Sequence, residues 1–372
     1  MTTAKANIPV NSLTRHTRPL LDELNRRAMD VIASGHYVLG PNVEAFEKEF
    51  AAYCGASSAI GVGNGTEALE LGLRGLGVTA GDTVAVVANA AMYGTTAVLA
   101  CGAAPVFVDV NTETATMSPV ALEKCMASAS AKPKAIIVTH LYGRLADMPA
   151  LTAIADSHQV PVLEDCAQAH GAMDRNGRRA GSFGKASCFS FYPTKNLGAL
   201  GDGGAVVTSD AQIEKRIRQL GQYGWSSKYN NELAGGRNSR MDEIQAVFLR
   251  CQLGHLDNWN HRRREIANRY SFEIHHPDIK TPVPAHDEYV AHLYVVRTSR
   301  RAELQAQLRS QGVDSDVHYP IPDHKQSLFN GRYEGISLPA TEQLCNDVLT
   351  LPCFPELTDT EVARVIDACN HW

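Results

Sequence analysis

Apolar residues recur along this chain at two alternating spacings, and the alternation lays out a fold. Between Arg18 and Ser34, Leu20, Leu21, Leu24, Ala28, Val31 and Ile32 fall at helical spacing, and Gly35 provides a stop. Val43, Phe46, Phe50 and Tyr53 mark a second helix that Asn42 is placed to cap. SAIGVGNGTEAL then reads as a small strand, a glycine-rich turn and a helix opening near Thr66. Unbroken apolar runs predict strands at Val84–Val87, Pro105–Val108, Ala135–Thr139 and Val160–Glu164, the last ending on Asp165. Helices are expected between them at Tyr93–Ala100, Pro119–Ser128 and Met148–His158. Strands without polar alternation, separated by helices, predict a mostly parallel α/β sheet covered on both faces. Ligands of such sheets bind beyond the carboxyl ends of the strands, where Thr139, His140, Asp165, Gln168 and His170 are expected. His170 fits either the site wall or a gap in the core.

Two further strands flank a glycine-rich run, at Ser187–Phe191 and Ala205–Thr208, followed by a helix at Ala211–Leu220. QYGWSSKYNNELAGGRNS reads as an irregular, mobile or partner-contacting loop. A helix over Arg240–Asp257 continues or restarts through Tyr270, with Arg262, Arg263 and Arg264 read as a solvated face. From Pro282 the pattern changes, with strands at His292–Arg297 and Val317–Tyr319 and helices at Ala302–Gln311, near Thr341–Leu349 and at Thr358–Cys369. A large unit over 1–255 and a smaller α+β unit over 256–372 are expected, and the amino-terminal helix is free to pack on the smaller one.

Composition narrows the partners. In 372 residues, 44% hydrophobic and 20% charged content is that of a soluble globular protein. A net charge of -5 argues against wholesale nucleic-acid binding and leaves room for a local basic pocket. The nine cysteines contain no C-x-x-C pair, so reduced thiols in a cytoplasmic protein are expected, with neither a disulfide frame nor a zinc site. MTTAKANIPV has no secretory apolar region, and no run approaches membrane-spanning length. His318 and His324 are too far apart for an i, i+4 metal pair, and no metal site is expected.

The candidate chemistry centres on FSFYPTKNLGALGDGG, residues 189–204. Lys195 lies on a tight connection between two strands, among residues of little bulk. A lysine desolvated there has a lowered pKa, and its free amine attacks carbonyls to form a Schiff base. The same stretch alone also fits a surface-loop lysine. Asp165, straight after a buried strand, either caps the following turn or holds a proton on a heteroaromatic nitrogen. The amides opening the helix near Thr66, with the Thr66 hydroxyl, form a phosphate seat. GVGNG by itself fits a dinucleotide-binding turn equally well.

Taken together, GNGTEAL, EDCAQAHGA, FSFYPTKNLGALGDGG, GRNSRMDEIQA and HYPIPDHKQ resemble the sugar-nucleotide aminotransferase family (DegT/StrS type), which depends on pyridoxal 5'-phosphate (PLP). The likeness runs from about Ile8 to the last helix. It implies an aspartate-aminotransferase-like (type I) fold and a homodimer with shared active sites. By resemblance, Lys195 forms the Schiff base, Asp165 pairs with the ring nitrogen, and Gln168 lies beside the ring's phenolic oxygen. Gly65, Thr66 and Ser190 hold the phosphate, and Asn238 reaches it from the neighbouring subunit. His318 lines the sugar pocket, and Tyr192, Tyr223, Lys228 and His324 are further substrate contacts. The family's ring-covering aromatic is displaced here. Its matching place is Ala91, and Tyr93, or else Met92, takes the role.

The implied reaction moves the amino group of L-glutamate, by way of pyridoxamine phosphate (PMP), to a nucleotide-linked keto sugar. KNLGALGDGG, with Asp202, and the HGA after Gln168 are more similar to the branch that aminates C3 of dTDP-linked 3-keto-6-deoxyhexoses than to the C4 branch. A 4-keto sugar or a cyclitol stays open as substrate. Outside the family, a nicotinamide-dependent dehydrogenase built on Gly61–Gly65 would leave Lys195 idle. A non-enzymatic regulatory relative is disfavoured by the presence of that lysine.

Overall fold

The computed structural model describes residues 7–128, 132–284 and 286–372. Residues 1–6, part of the stretch read above as lacking a secretory signal, lie outside them. A short helix, α1 (Leu13–Thr17), leads through a 3-10 turn to α2 (Leu21–Ser34), which stops where Gly35 takes a φ of 71°. In α3 (Pro41–Cys54) the cap is Gly40, and Asn42 lies inside the helix, so the expected Asn42 cap is corrected. Proline suits the first helical position because it has no N–H to satisfy. Glu243 does the capping from afar, accepting the N–H groups of Asn42 (3.0 Å) and Val43 (2.7 Å).

The alternation then follows as expected: β1 (Ser58–Val62), α4 (Gly65–Gly75), β2 (Thr83–Val87), α5 (Tyr93–Ala100), β3 (Ala104–Val108), α6 (Pro119–Ser128), β4 (Ala135–Thr139), α7 (Met148–Ser157) and β5 (Val162–Asp165). With β6 (Ala186–Ser190) and β7 (Gly204–Thr208) they form a seven-stranded sheet of order β1-β7-β6-β5-β4-β2-β3. From β3 to β6 the strands run parallel, and β7 is antiparallel to both neighbours. Thr139, Asp165 and Ser190 therefore end their strands at one edge of the sheet. Along β4, Ile136 and Val138 enter one apolar cluster and Ile137 the opposite one, the two-residue period of a strand buried on both faces.

The rest of the chain departs more from the sequence pattern. After α8 (Ala211–Gly221), the stretch expected to be irregular contains a hairpin, β8 (Trp225–Ser227) with β9 (Asn230–Asn231). The long helix expected next is two, α9 (Glu243–Leu253) and α10 (Leu256–Glu273). β10 (Tyr294–Arg297), α11 (Arg301–Ser310), α12 (Pro339–Asp347), β11 (Val348–Leu351) and α13 (Asp359–Asn370) complete it. Val317–Tyr319 is not a strand; the residue before it, Asp316, makes an isolated bridge to Thr350. β10 pairs instead with β11, whose first residues were read as the end of a helix. Nor is the arginine cluster wholly solvated. Arg263 is buried and donates to the carbonyls of Cys353 (2.6 Å) and Ala291 (3.3 Å), while Arg262 and Arg264 pair with Asp359 and Asp287. One apolar cluster runs from Val87, Val108 and Ile136 of the sheet into Tyr270, Tyr294, Leu304 and Val365, so the carboxyl-terminal elements pack on that face.

Candidate active site

A cavity of about 770 Å³ opens at the carboxyl edge of the parallel strands, and Lys195, Asp165, Gln168, Tyr93, Gly65 and Ser190 all line it. Lys195 reaches it from the connection between β6 and β7. Its N–H donates to the Tyr192 carbonyl (2.8 Å), and the next residue is pinned in the core. There Asn196 donates to Asn260 (2.8 Å) and the Val290 carbonyl (3.1 Å) and pairs with His292 Nδ1 (3.0 Å). A lysine held on so fixed a backbone is aimed, not loose. Burial lowers its pKa to about 8 against the pull of Asp165, so at neutral pH it sits much nearer to its free-amine form than an ordinary lysine.

Asp165 is buried at the end of β5, accepting from the Ala167 N–H (3.1 Å) and the Thr139 hydroxyl (3.3 Å). Burial pushes its pKa up, and those bonds with the charge of Lys195 oppose the rise. A cation placed against this carboxylate would hold it ionised. The preceding residue, Glu164, is a buried knot that the sequence reading passed over. Its oxygens accept from the N–H groups of Phe183 (2.7 Å), Gly184 (2.7 Å) and Gly181 (3.0 Å), from the Ser187 hydroxyl (2.9 Å) and from His140 Nε2 (3.0 Å). His140 Nδ1 accepts the Ala146 N–H (3.1 Å), so the proton of the neutral ring lies on Nε2. Burial works to raise the Glu164 carboxyl, and the bonds from His140, Gly181 and Gly184 hold it below the usual range.

The opening of α4 forms the opposite wall. Asn64 caps it by accepting the Glu67 N–H (2.9 Å), and the first-turn residues Gly65 and Thr66 line the cavity. A Cβ on Gly65 would stand 2.5 Å from the Ser190 Cβ, and one on Gly204 would stand 2.4 Å from the Asn64 carbonyl. Only glycine lets the helix start approach the β6–β7 hairpin this closely.

The family model of the DegT/DnrJ/EryC1/StrS aminotransferases matches residues 20–370. The chain belongs to that family. It is 44% identical over 369 residues to dTDP-3-amino-3,4,6-trideoxy-alpha-D-glucose transaminase of Streptomyces venezuelae, covering 98% of this chain and 96% of the relative. It is 40% identical over 364 residues to UDP-N-acetyl-3-dehydro-alpha-D-glucosamine 3-aminotransferase of Acidithiobacillus ferrooxidans, covering 98% and 97%. Among solved structures, S. venezuelae DesV in complex with a ketimine intermediate superposes with a TM-score of 0.94 at 44% identity, covering 99% of each chain. Bacillus subtilis NtdA with bound PMP gives a TM-score of 0.92 at 30% identity, covering 100% of this chain and 86% of that one. The protein is thus a PLP-dependent sugar aminotransferase with the type I fold, and the dehydrogenase alternative falls away.

The cavity fits PLP at each end of the molecule. The glycine-lined helix start suits a phosphate dianion, the buried Asp165 suits a protonated ring nitrogen, and Lys195 stands on the same cavity wall. Since only the free amine attacks an aldehyde, uptake of PLP by the apoenzyme should accelerate as pH rises through about 8 and level off above it. An unperturbed lysine would keep accelerating toward 10.5. Stopped-flow loading between pH 6 and pH 10 distinguishes the two.

Other expected site residues are less uniformly placed. Tyr93 is half exposed at the cavity, its ring edge-on to Tyr319 at 6.4 Å. Gln168 has both ends of its amide engaged, Oε1 accepting the Tyr142 N–H (2.6 Å) and Nε2 donating to the Tyr319 hydroxyl (3.0 Å). Tyr192 lines the cavity, 53% exposed. His318 stands behind Tyr319, its Nδ1 paired with Thr350 Oγ1 (2.8 Å). Tyr223 packs on Trp225, and Lys228 is exposed above the Tyr229 ring, both outside the cavity lining. His324 is corrected as a substrate contact. Its side chain is 1% exposed, wedged between Phe107 and Glu342. His140 and His170 do not line the site either. The first serves Glu164, and the second fills the core against Phe189 and Phe191, where burial lowers its pKa to about 3. Arg237, which lines the cavity, and Tyr319, which touches Gln168 and Tyr93, were passed over although both lie in quoted motifs, GRNSRMDEIQA and HYPIPDHKQ.

Proposed function

We propose that this aminotransferase moves the amino group of L-glutamate to the C3 keto group of a dTDP-linked 3-keto-6-deoxyhexose, giving a dTDP-3-amino-3,6-dideoxyhexose. The agreement of two relatives on position supports it. Both names put the nitrogen at C3, although one acts on a dTDP sugar and the other on a UDP sugar. Asp202, which lines the cavity, is the second support, through its place in the C3-like run noted above.

Bound PLP supplies an electron sink for the carbon that loses or gains a proton. The chain supplies the rest. With PLP bound, Lys195 would be the residue that holds it covalently, and its free amine would move the proton to be transferred, as base and then acid. Its lowered pKa suits both tasks near neutrality. Asp165 keeps the ring nitrogen protonated, and Gln168 stands by the phenolic oxygen. The amides of Gly65 and Thr66, with Ser190, seat the phosphate. In a homodimer Asn238 of the partner subunit adds to that seat. Its exposed position, bridged to Gln222 and off the cavity of its own chain, leaves it free to do so. Tyr93 covers the ring, and His318, Tyr192, Tyr223 and Lys228 serve the sugar nucleotide.

The test starts from the PMP form, made by exhausting the enzyme with glutamate. dTDP-3-keto-6-deoxyglucose and its galacto epimer, their 4-keto counterparts and a UDP-linked 3-keto sugar are presented separately, and return of the yellow absorbance is followed. The dTDP 3-keto sugars should restore it at least about tenfold faster than the 4-keto ones. Restoration by the 4-keto sugar alone would overturn the position, and by the UDP sugar alone, the nucleotide.

A further inference from the structure

We propose that Asp323 is the positioning residue for Tyr93, holding the loop before α5 in the shape that brings that ring to the cavity. The inference rests on the reading above that Tyr93 covers the coenzyme. Its ground is a three-point clamp. The Asp323 carboxylate accepts the Met92 N–H (2.9 Å) and the Thr95 hydroxyl (2.6 Å), and the Asp323 N–H donates to the Ala88 carbonyl (2.8 Å). The loop between Ala88 and Thr95, with Tyr93 inside it, is therefore tied at both ends to one residue.

The clamp answers a local need. Met92 occupies the cap position of α5, and its side chain makes no capping hydrogen bond. Asp323 supplies from a remote segment the carboxylate that accepts the cap residue's own N–H, the part that a glutamate at the third helical position plays in a capping box. Ala91 and Met92 also sit in succession in the left-handed region, at φ 56° and 66°, which residues with a Cβ seldom adopt unless their surroundings fix them. Without those two bends Tyr93 would leave its place at the opening of the helix. The same segment touches the ring itself, because Tyr319, four residues before Asp323, packs edge-on to Tyr93 and is bonded to Gln168. Asp323 is 1% exposed. Burial raises its pKa to about 6, opposed only by the Thr95 and Met92 bonds and by no cation. A carboxylate kept buried at that expense is a shape-setting device, and the shape it sets is that of the Tyr93 loop.

Binding of PMP to resolved apoenzyme tests the proposal without turnover, with near-ultraviolet circular dichroism in the coenzyme's own band reporting how it is held. The variants are Tyr93→Leu, Asp323→Leu and the double variant. Each single variant should weaken PMP about tenfold and alter the dichroism, and the double variant should be no weaker than Tyr93→Leu alone. Unchanged PMP binding in Asp323→Leu, or losses that multiply in the double variant, would overturn it. Thr95→Val guards against misfolding, since it deletes one hydroxyl donor and keeps the volume. It should weaken PMP about threefold when Tyr93 is present and not when it is leucine. No effect of Tyr93→Leu by itself would remove the covering role and this proposal together. Sugar specificity in the keto-sugar assay would remain to be read separately.

Discussion

Lys195→Ala transaminates glutamate at least about 10⁴-fold more slowly than the parent, and borohydride no longer fixes the coenzyme to the chain. Two tasks are lost at once, the covalent attachment and the proton carrier, and no neighbour can replace them. Asp165 is bonded to Thr139 and Ala167, while His292 is tied to Asn196 and burial holds its pKa far below the ordinary histidine value. The fold should survive, because the residue that anchors the loop is Asn196, not Lys195. Single-turnover mixing with glutamate, together with peptide mapping after borohydride treatment, measures both effects. Parent-like turnover in the variant would end the assignment of Lys195.

The sheet was legible because its strands are buried on both faces and so read as unbroken apolar runs. The helix of α5 was placed to the residue for the same reason: glycine and apolar residues bracket it. Lys195 and Asp165 were legible from local surroundings, one on a glycine-rich hairpin and one straight after a buried strand. The failures share a cause, which is partnership across long stretches of chain. Val348–Leu351 continues a helical pattern without a break, and only its pairing with β10 makes it a strand. His324 looks like a ligand in HYPIPDH, but its ring turns inward toward Phe107. Asn42 was credited with a cap that Glu243 performs. Asp323 acts on a loop more than 200 residues earlier, and no local motif announces that.

Glu164→Gln should lose about 3 kcal/mol of stability, the largest effect expected from so small a change. The carboxylate accepts five hydrogen bonds from N–H and O–H donors, shared between its two oxygens, and a longer sixth from the Cys166 thiol (3.9 Å). An amide turns one of those oxygens into a donor facing donors. Whichever way the glutamine is flipped, at least two buried N–H or O–H groups lose their acceptor. His140 cannot compensate, because its other nitrogen already accepts the Ala146 N–H. Denaturant unfolding of the holoenzyme and of the apoenzyme, compared with the parent, reads the loss directly. The variant should be lost first at the loop of residues 181–187, where hydrogen exchange will report it. A loss below about 0.5 kcal/mol would mean that the knot is slack.

The reversed strand of the sheet has a bearing on how the enzyme is made. Among the described residues β1 pairs with β7 alone, so Ser58 waits for Thr208 before its ladder forms. The helix start that follows β1 packs on Ser190 and Gly204, which arrive with the same hairpin. During synthesis, then, the start of α4 gains these neighbours only when β7 appears, after every other strand of the large sheet. A chain cut short of Gly204 has no hairpin to seat that helix start, although Lys195 is already present in it.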